Sequence, residues 1–171
     1  MRLETMAVVH YPMDYWRIYD EGLFCAVESY REDHDRERGL SKDTYLTVVR
    51  CLIKLHSVLA HARLVGQEMP ALAQIIFHMD WRGLKDRSLI LRDIDDDFSG
   101  VKVSTGRFFK TITLTWPDVR DDYFGALQRI CVPFFELFAS RNQFEPEKWL
   151  TRERVEELFA KYGRDMRLFE P

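Results

Sequence analysis

One stretch of the chain concentrates side chains that can do chemistry: "HMDWRGLKDRSL", residues 78–89. It sets His78, Asp80, Arg82, Lys85, Asp86 and Arg87 beside Trp81 and around Gly83. An imidazole changes charge near neutral pH, and a carboxylate two residues along the same strand face can tune it. His78 and Asp80 are therefore a candidate general-base pair, although the sequence places no nucleophile to use it. Arg82, Lys85 and Arg87 are the residue types that hold an anion. The same letters also fit a structural reading, because Phe77, Met79 and Trp81 alternate with Ile76, His78 and Asp80 as the two faces of a strand do. On that reading, which is favoured, Gly83 is the turn residue between two strands. Trp81, Phe77 and Met79 face the core, and Arg82, Lys85 and Arg87 form a charged rim at the hairpin tip.

Other clusters carry less. Asp93, Asp95 and Asp97 in "DIDDDFSG" have the spacing of a calcium loop, but Phe98 stands where the sharp turn needs glycine and Ser104 where a bidentate glutamate belongs. A solvated loop is the expectation. His56 and His61 are five apart, which puts them about 140° around a helix and so off a common face. His10 and His34 stand elsewhere in the sequence. Cys25, Cys51 and Cys131 are scattered through apolar patterns, which speaks against a disulfide framework or a metal knuckle and for buried reduced thiols. No phosphate-binding glycine loop, nucleophile elbow or HExxH is present. No cofactor and no metal are expected.

The elements that must position these groups follow from apolar spacing. Trp16, Tyr19, Leu23, Val27 and Tyr30 recur at helical intervals and predict a helix over 13–32. Ser41 as N-cap, Asp43 in the first turn and the stripe Tyr45, Val48, Leu52, Leu55, Leu59 predict a second over 42–66, apolar enough to be touched on more than one side. The period then drops to two. Strands are expected within 72–116, ending in "RFFKTITLTW", where Phe108, Ile112, Leu114 and Trp116 oppose Phe109, Thr111, Thr113 and Thr115. Pro117 suits the first position of a helix over 117–140 that Pro133 should kink or break. A last helix over 151–163 stops at Gly163. The fold class is α+β in one domain, 1–171: two N-terminal helices, a small antiparallel sheet of three to four strands, and two C-terminal helices packed on the sheet.

Composition narrows the function classes. A 171-residue chain with 46% hydrophobic and 31% charged residues can bury a core without disulfides or metals. A net charge of −3 gives no reason to demand nucleic acid or an acidic membrane as partner. There is no apolar run long enough to span a bilayer and no signal-like N-terminus, so the expected location is cytoplasmic. Arginine outnumbers lysine, as in proteins from GC-rich bacterial genomes.

The span from "FHMDWRGLKDRSL" to "DDYFGALQRICVPFFELF" resembles the C-terminal region of bacterial Schlafen-like (AlbA-type) putative ATP-binding proteins. The residues carrying the likeness are Phe77, Trp81, Gly83, Leu84 and Arg87, followed by Pro133, Phe134, Leu137 and Phe138. The large ATP-binding module has no counterpart here, so no nucleotide-handling residue carries over. The resemblance implies an accessory module of a bacterial regulatory or defence-type system that works through partners.

Three functions follow in order of expectation. The first is a non-catalytic protein-interaction or assembly module, docking on another protein or a second copy of itself, because Phe109 and the Phe134/Phe135 pair look surplus to one core face. The second is single-stranded nucleic-acid binding on the sheet, where seven cations including Arg82, Lys85, Arg87, Arg107 and Lys110 stand among Trp81, Phe108 and Phe109. Six aspartates in the same region oppose that reading. The third is an enzyme with dispersed residues around His78 and Asp80. The candidate contact surface is Arg82, Lys85, Arg87, Phe109 and Lys110.

Overall fold

The computed structural model describes residues 14–18, 24–28, 45–69, 72–90, 101–139 and 146–161. The chain is mixed helix and strand. At its N-terminal end β1 (Asp14–Ile18) pairs antiparallel with β2 (Phe24–Glu28), Trp16 opposite Ala26. This corrects the helix expected over 13–32. Short apolar runs satisfy both periods, and aromatic and β-branched residues such as Tyr15, Trp16, Ile18 and Val27 favour a strand.

The next expected helix starts later than its apolar stripe. Tyr45–Thr47 form β3, and α1 (Val48–Gln67) follows with Thr47 as an N-cap that makes no side-chain capping bond. The expected cap at Ser41 lies outside the described residues. Tyr45, Leu46 and Thr47 are taken into a strand because β5 (Ser88–Ile90) lies parallel to them, Leu46 opposite Leu89. Long-range pairing has overridden local helical spacing. As its two-sided apolar pattern predicts, α1 buries Leu52, Leu55 and Leu59 along one stripe and Val49, His56 and Ala60 beside it. Gly66 in its last turn is buried where an added methyl would overlap the Trp116 ring.

The expected three- to four-stranded antiparallel sheet is instead a set of two-stranded pairs. The principal one joins β4 (Gln74–Arg82) to β6 (Arg107–Thr115), antiparallel, from Gln74 opposite Thr115 to Arg82 opposite Arg107. The turn at Gly83 is therefore no hairpin, since β4 skips β5. Between β5 and β6, Lys102 makes an isolated antiparallel bridge to Ser88.

The expected helix over 117–140 is broken, and at Asp122 rather than Pro133. α2 (Trp116–Asp121) opens with a capping box: the Asp118 N–H donates to Thr115 Oγ1 at 3.3 Å, and the Thr115 N–H donates to Asp118 Oδ2 at 3.0 Å. Asp122 then caps α3 (Tyr123–Phe135), its carboxylate accepting from the Gly125 N–H at 3.0 Å. An aspartate there offers the backbone an alternative to continuing the helix. α3 runs through Pro133 and tightens into a 3-10 turn over Glu136–Phe138. α4 (Pro146–Trp149) and α5 (Arg152–Lys161) complete the described chain.

Phe134 sits where the helices meet the inner face of the β4–β6 ribbon. Its ring centroid lies 4.1 Å from Trp81, 5.7 Å from Phe108 and Phe135, and 5.5 Å from Phe138. Phe134 and Phe135 are wholly buried. The surplus of aromatics inferred from the sequence thus reduces to Phe109, because α3 presents both phenylalanines to a core fed from more than one direction. Phe134→Ala should cost about 3–5 kcal/mol, the range for truncating a buried phenylalanine, whereas Phe109→Ala should stay within about 0.5 kcal/mol. Urea midpoints at unchanged slope check the contrast, and equal losses would contradict it.

The α2–α3 corner gives a second expectation. Arg129 clasps Asp118 through Nη2 to Oδ1 and Nη1 to Oδ2, both 3.0 Å. First that guanidinium and then Thr115 hold the Asp118 carboxyl down at about 2. Its unfolded value is about 3.9, so its contribution to stability is complete above that pH and is lost as pH falls toward 2. Asp118→Asn should lower stability at neutral pH and flatten part of the acid limb below about pH 4. Thermal melts across pH 2–7 check this (roughly the window set by the two values), and an unchanged acid limb would contradict it.

Candidate functional site

The β4–β6 ribbon turns one face to the core and the other to solvent. Phe77 and Met79 of β4 and Phe108 and Leu114 of β6 are buried, with Trp81 and Ile112 partly so. The outer face carries Ile76, His78, Asp80 and Arg82 from β4, set against Thr113, Thr111, Phe109 and Arg107 from β6. Four large apolar side chains are strongly exposed among the described residues, and two of them, Ile76 at 49% and Phe109 at 58%, share this face. Leu64 and Met69 lie at the end of α1 and just after it.

Charge on this face is organised around Asp80. Arg107 meets it with two donors, Nε to Oδ1 at 2.6 Å and Nη2 to Oδ2 at 3.0 Å, and Arg82 Nε donates to Oδ2 at 2.9 Å. Arg107 and then Arg82 hold the Asp80 carboxyl down at about 2. The Arg107 guanidinium also lies over the Phe109 ring, 5.4 Å from its centroid. Cross-strand pairing sets the contact, since Asp80 is opposite Phe109 and one step from the Arg82–Arg107 pair.

The candidate general-base pair is not assembled. Asp80 serves the two arginines, and His78 Nδ1 instead meets Thr111 Oγ1 at 3.0 Å. The other described histidines stand apart: His56 is buried with its ring edge-on to Tyr123 and Phe159, and the Tyr123 hydroxyl donates to the His56 carbonyl at 3.2 Å. Burial pushes the Tyr123 hydroxyl above its ordinary range. Cys51 and Cys131 are buried thiols outside any disulfide, as their apolar context predicts. Burial, with Cys51 nearby, drives the Cys131 thiol well up, away from the thiolate. No group of three potential metal ligands occurs among the described residues. Asp93–Asp97, His10, His34 and the side chain of Cys25 lie outside them.

The structure separates the five residues of the expected contact surface. Arg82 and Phe109 share the outer face. Lys85 is exposed on the turn after Gly83, and Lys110, adjacent to Phe109 along the strand, has the opposite parity. Arg87 is a correction: it is 3% exposed and belongs to no rim. Its Nε donates to the Gly83 carbonyl at 2.7 Å and its Nη1 to the Tyr45 carbonyl at 3.2 Å. Gly83 takes a left-handed φ of 71°, and Asp86 one of 63° in a turn closed by the Arg87 N–H on the Leu84 carbonyl, 3.0 Å. Leu84 is fully buried, with its N–H on the Gly106 carbonyl, and Arg87 and Val103 pair through the backbone. Every residue of the Phe77–Trp81–Gly83–Leu84–Arg87 signature thus has a packing or backbone task.

Sequence spacing missed Ile76, Thr111 and Arg107 as members of one surface. Parity along each strand was readable, but which residues of β6 stand opposite β4 depends on a register no local pattern encodes. Arg87→Lys should cost about 1–3 kcal/mol, since a lysine cannot fork between the Gly83 and Tyr45 carbonyls from a buried position, while Lys85→Ala should stay within about 0.5 kcal/mol. Chemical denaturation of both variants checks this, and equal midpoints would contradict the buried role.

No helix among the described residues is long and apolar enough to cross a membrane. In comparisons with known proteins, no family model matches the chain, and neither a curated protein nor a solved structure is similar to it.

Proposed function

We propose that the chain is a protein-interaction module whose docking surface is the outer face of the β4–β6 ribbon. The observation that carries this is that Ile76 and Phe109 are both exposed on the one face of the ribbon that does not pack on the core. Large apolar groups on a preformed surface are what a partner can desolvate for gain. The size of the face selects the kind of partner. Nine-residue strands rise about 3.3 Å per residue, so the ribbon is about 30 Å long and offers roughly 300 Å². That falls well short of the roughly 800 Å² per partner of a stable interface. A short segment of another protein, bound transiently, fits better than a second copy of this chain. The Schlafen-like resemblance supplies a setting, an accessory module of a bacterial regulatory or defence-type system. The buried thiols of Cys51 and Cys131, in no disulfide, suit a reducing cytoplasm.

The nucleic-acid reading has less to stand on. Trp81 and Phe108 contact Phe134 in the core, which leaves Phe109 as the exposed ring of the three. Arg87 is buried, and Arg82 and Arg107 both reach Asp80. A platform for single strands stacks successive bases on several rings along a basic groove.

Short random peptides displayed on phage and selected on the wild-type chain test the proposal. The selected peptides should lose at least about tenfold in affinity, ~1.4 kcal/mol, on Phe109→Ser or Ile76→Ser. Undiminished binding to both folded variants would contradict it.

A further inference from the structure

The far edge of β6 is open over one short window. The Trp116 N–H donates to the Ala73 carbonyl at 2.9 Å, one step beyond the Gln74–Thr115 pair. Bonded and unbonded residues alternate along an antiparallel ladder, so Phe108, Lys110, Ile112 and Leu114 aim their main-chain groups at β4. Arg107, Phe109, Thr111, Thr113 and Thr115 aim theirs away. Side chains occupy both ends of that row. The Arg107 N–H donates to Thr105 Oγ1 at 3.3 Å, and the Thr105 hydroxyl donates to the Arg107 carbonyl at 2.8 Å. At the other end the Thr115 N–H donates to Asp118 Oδ2 at 3.0 Å. Between them, no hydrogen bond from the described residues meets the outward N–H and C=O of Phe109, Thr111 or Thr113. All three residues are exposed. An open row of this kind is a template for another strand.

We propose that this window pairs with the same window of a second copy of the chain, antiparallel about a two-fold axis at Thr111. The symmetry of the row selects the occupant. Its capped ends, Arg107 and Thr115, lie equally far from Thr111, so a copy turned end for end matches open group to open group. Phe109 meets Thr113, Thr111 meets Thr111, and each pair exchanges both of its N–H···O bonds. On the outer face this sets an aromatic against a β-branched residue and threonine against threonine, both favourable cross-strand pairs. Charge agrees at the ends, where Arg107 comes opposite Thr115 of the second copy and so near the Asp118 carboxylate that holds it. The edge of β4 lacks this match, because about its midpoint Ile76 would meet Asp80 and His78 another imidazole. A window about 17 Å long and about 10 Å thick buries roughly 170 Å² of edge per copy, against the roughly 800 Å² of a stable interface. The pairing is therefore weak and reversible, and the two Lys110 ammoniums, diagonal across the axis, keep it so. It goes beyond the docking reading and does not rest on it. The contact runs along the edge, and the two outer faces stay open side by side.

Sedimentation equilibrium of the full chain, from micromolar to millimolar concentration, tests it. The wild type should pass reversibly from monomer to dimer. Thr111→Pro should weaken the dimer at least about tenfold and keep the native near-UV circular dichroism, since that N–H points away from β4. Thr111→Asp, which sets two carboxylates opposite each other, should weaken it likewise and covers the case in which the proline variant does not fold. Cross-linking with oxidised glutathione reads the register. Thr111→Cys should give a covalent dimer, because hydrogen-bonded partners stand about 5.5 Å apart between Cα atoms, within disulfide reach, whereas Phe109→Cys should not. A chain that stays monomeric at millimolar concentration or assembles beyond the dimer overturns the inference. So does a dimer that folded Thr111→Pro or Thr111→Asp leaves intact, or cross-linking no better through Thr111→Cys than through Phe109→Cys. None of these results touches the docking reading, which Phe109→Ser against the selected peptides decides separately.

Discussion

The ring of Phe134, wedged beneath Trp81 and Phe108, is the contact on which the rest of the structure depends. A strand has two faces, and a helix that buries a phenylalanine against one of them commits the other to solvent. α3 does this with Phe134 and backs it with Phe135 and Phe138. The parity of β4 and β6 follows: Phe77, Met79, Phe108 and Leu114 go in, and Ile76, His78, Asp80, Arg107 and Phe109 go out. A slip of one residue in either strand would exchange these sets, so core packing and the identity of the surface are one constraint. Ile76 and Phe109 stay exposed on an unyielding framework because the core cannot turn them inward without turning Phe77 and Phe108 out.

Arg87 supplies a second fastening where the ribbon ends. Its guanidinium ties the Gly83 carbonyl, at the exit of β4, to the Tyr45 carbonyl of β3. A buried carbonyl without a donor is expensive, and the same side chain that meets that of Tyr45 also reaches the Gly83 carbonyl. Through it β3 and the end of the ribbon share one set of polar contacts. The most chemical-looking stretch of the sequence is therefore mostly architecture. Only Asp80, Arg82 and His78 from it reach the outer face.

The legible parts of the sequence were those governed by local periodicity. Alternation in residues 76–81 and 108–115 gave both faces of the ribbon correctly, and the two-sided apolar pattern gave α1 as a central helix. Pro117 pointed to a helix start there, which the Thr115–Asp118 capping box fixes. Illegible were features decided at long range. Tyr45–Thr47 continue a helical stripe yet form a strand, because β5 arrives beside them. Arg87 looked like a surface cation, because nothing nearby reveals a carbonyl forty-two residues away. The N-terminal hairpin was lost to a spacing that served helix and strand equally. At the candidate site the side chains were visible and their partnerships were not: His78 went to Thr111, and Asp80 to Arg107, through the β4–β6 register.

Together these constraints describe a small, mostly polar face with two exposed apolar side chains and a charge cluster centred on Asp80. On the proposed reading, that face recognises a short protein segment. The most direct test is a residue-resolved map of chemical-shift changes on adding a peptide selected against the full chain. The account predicts changes concentrated at Ile76, His78, Phe109, Thr111 and Thr113, with the α4 and α5 signals unmoved. Changes centred on the helices, with the outer face of the ribbon silent, would contradict it.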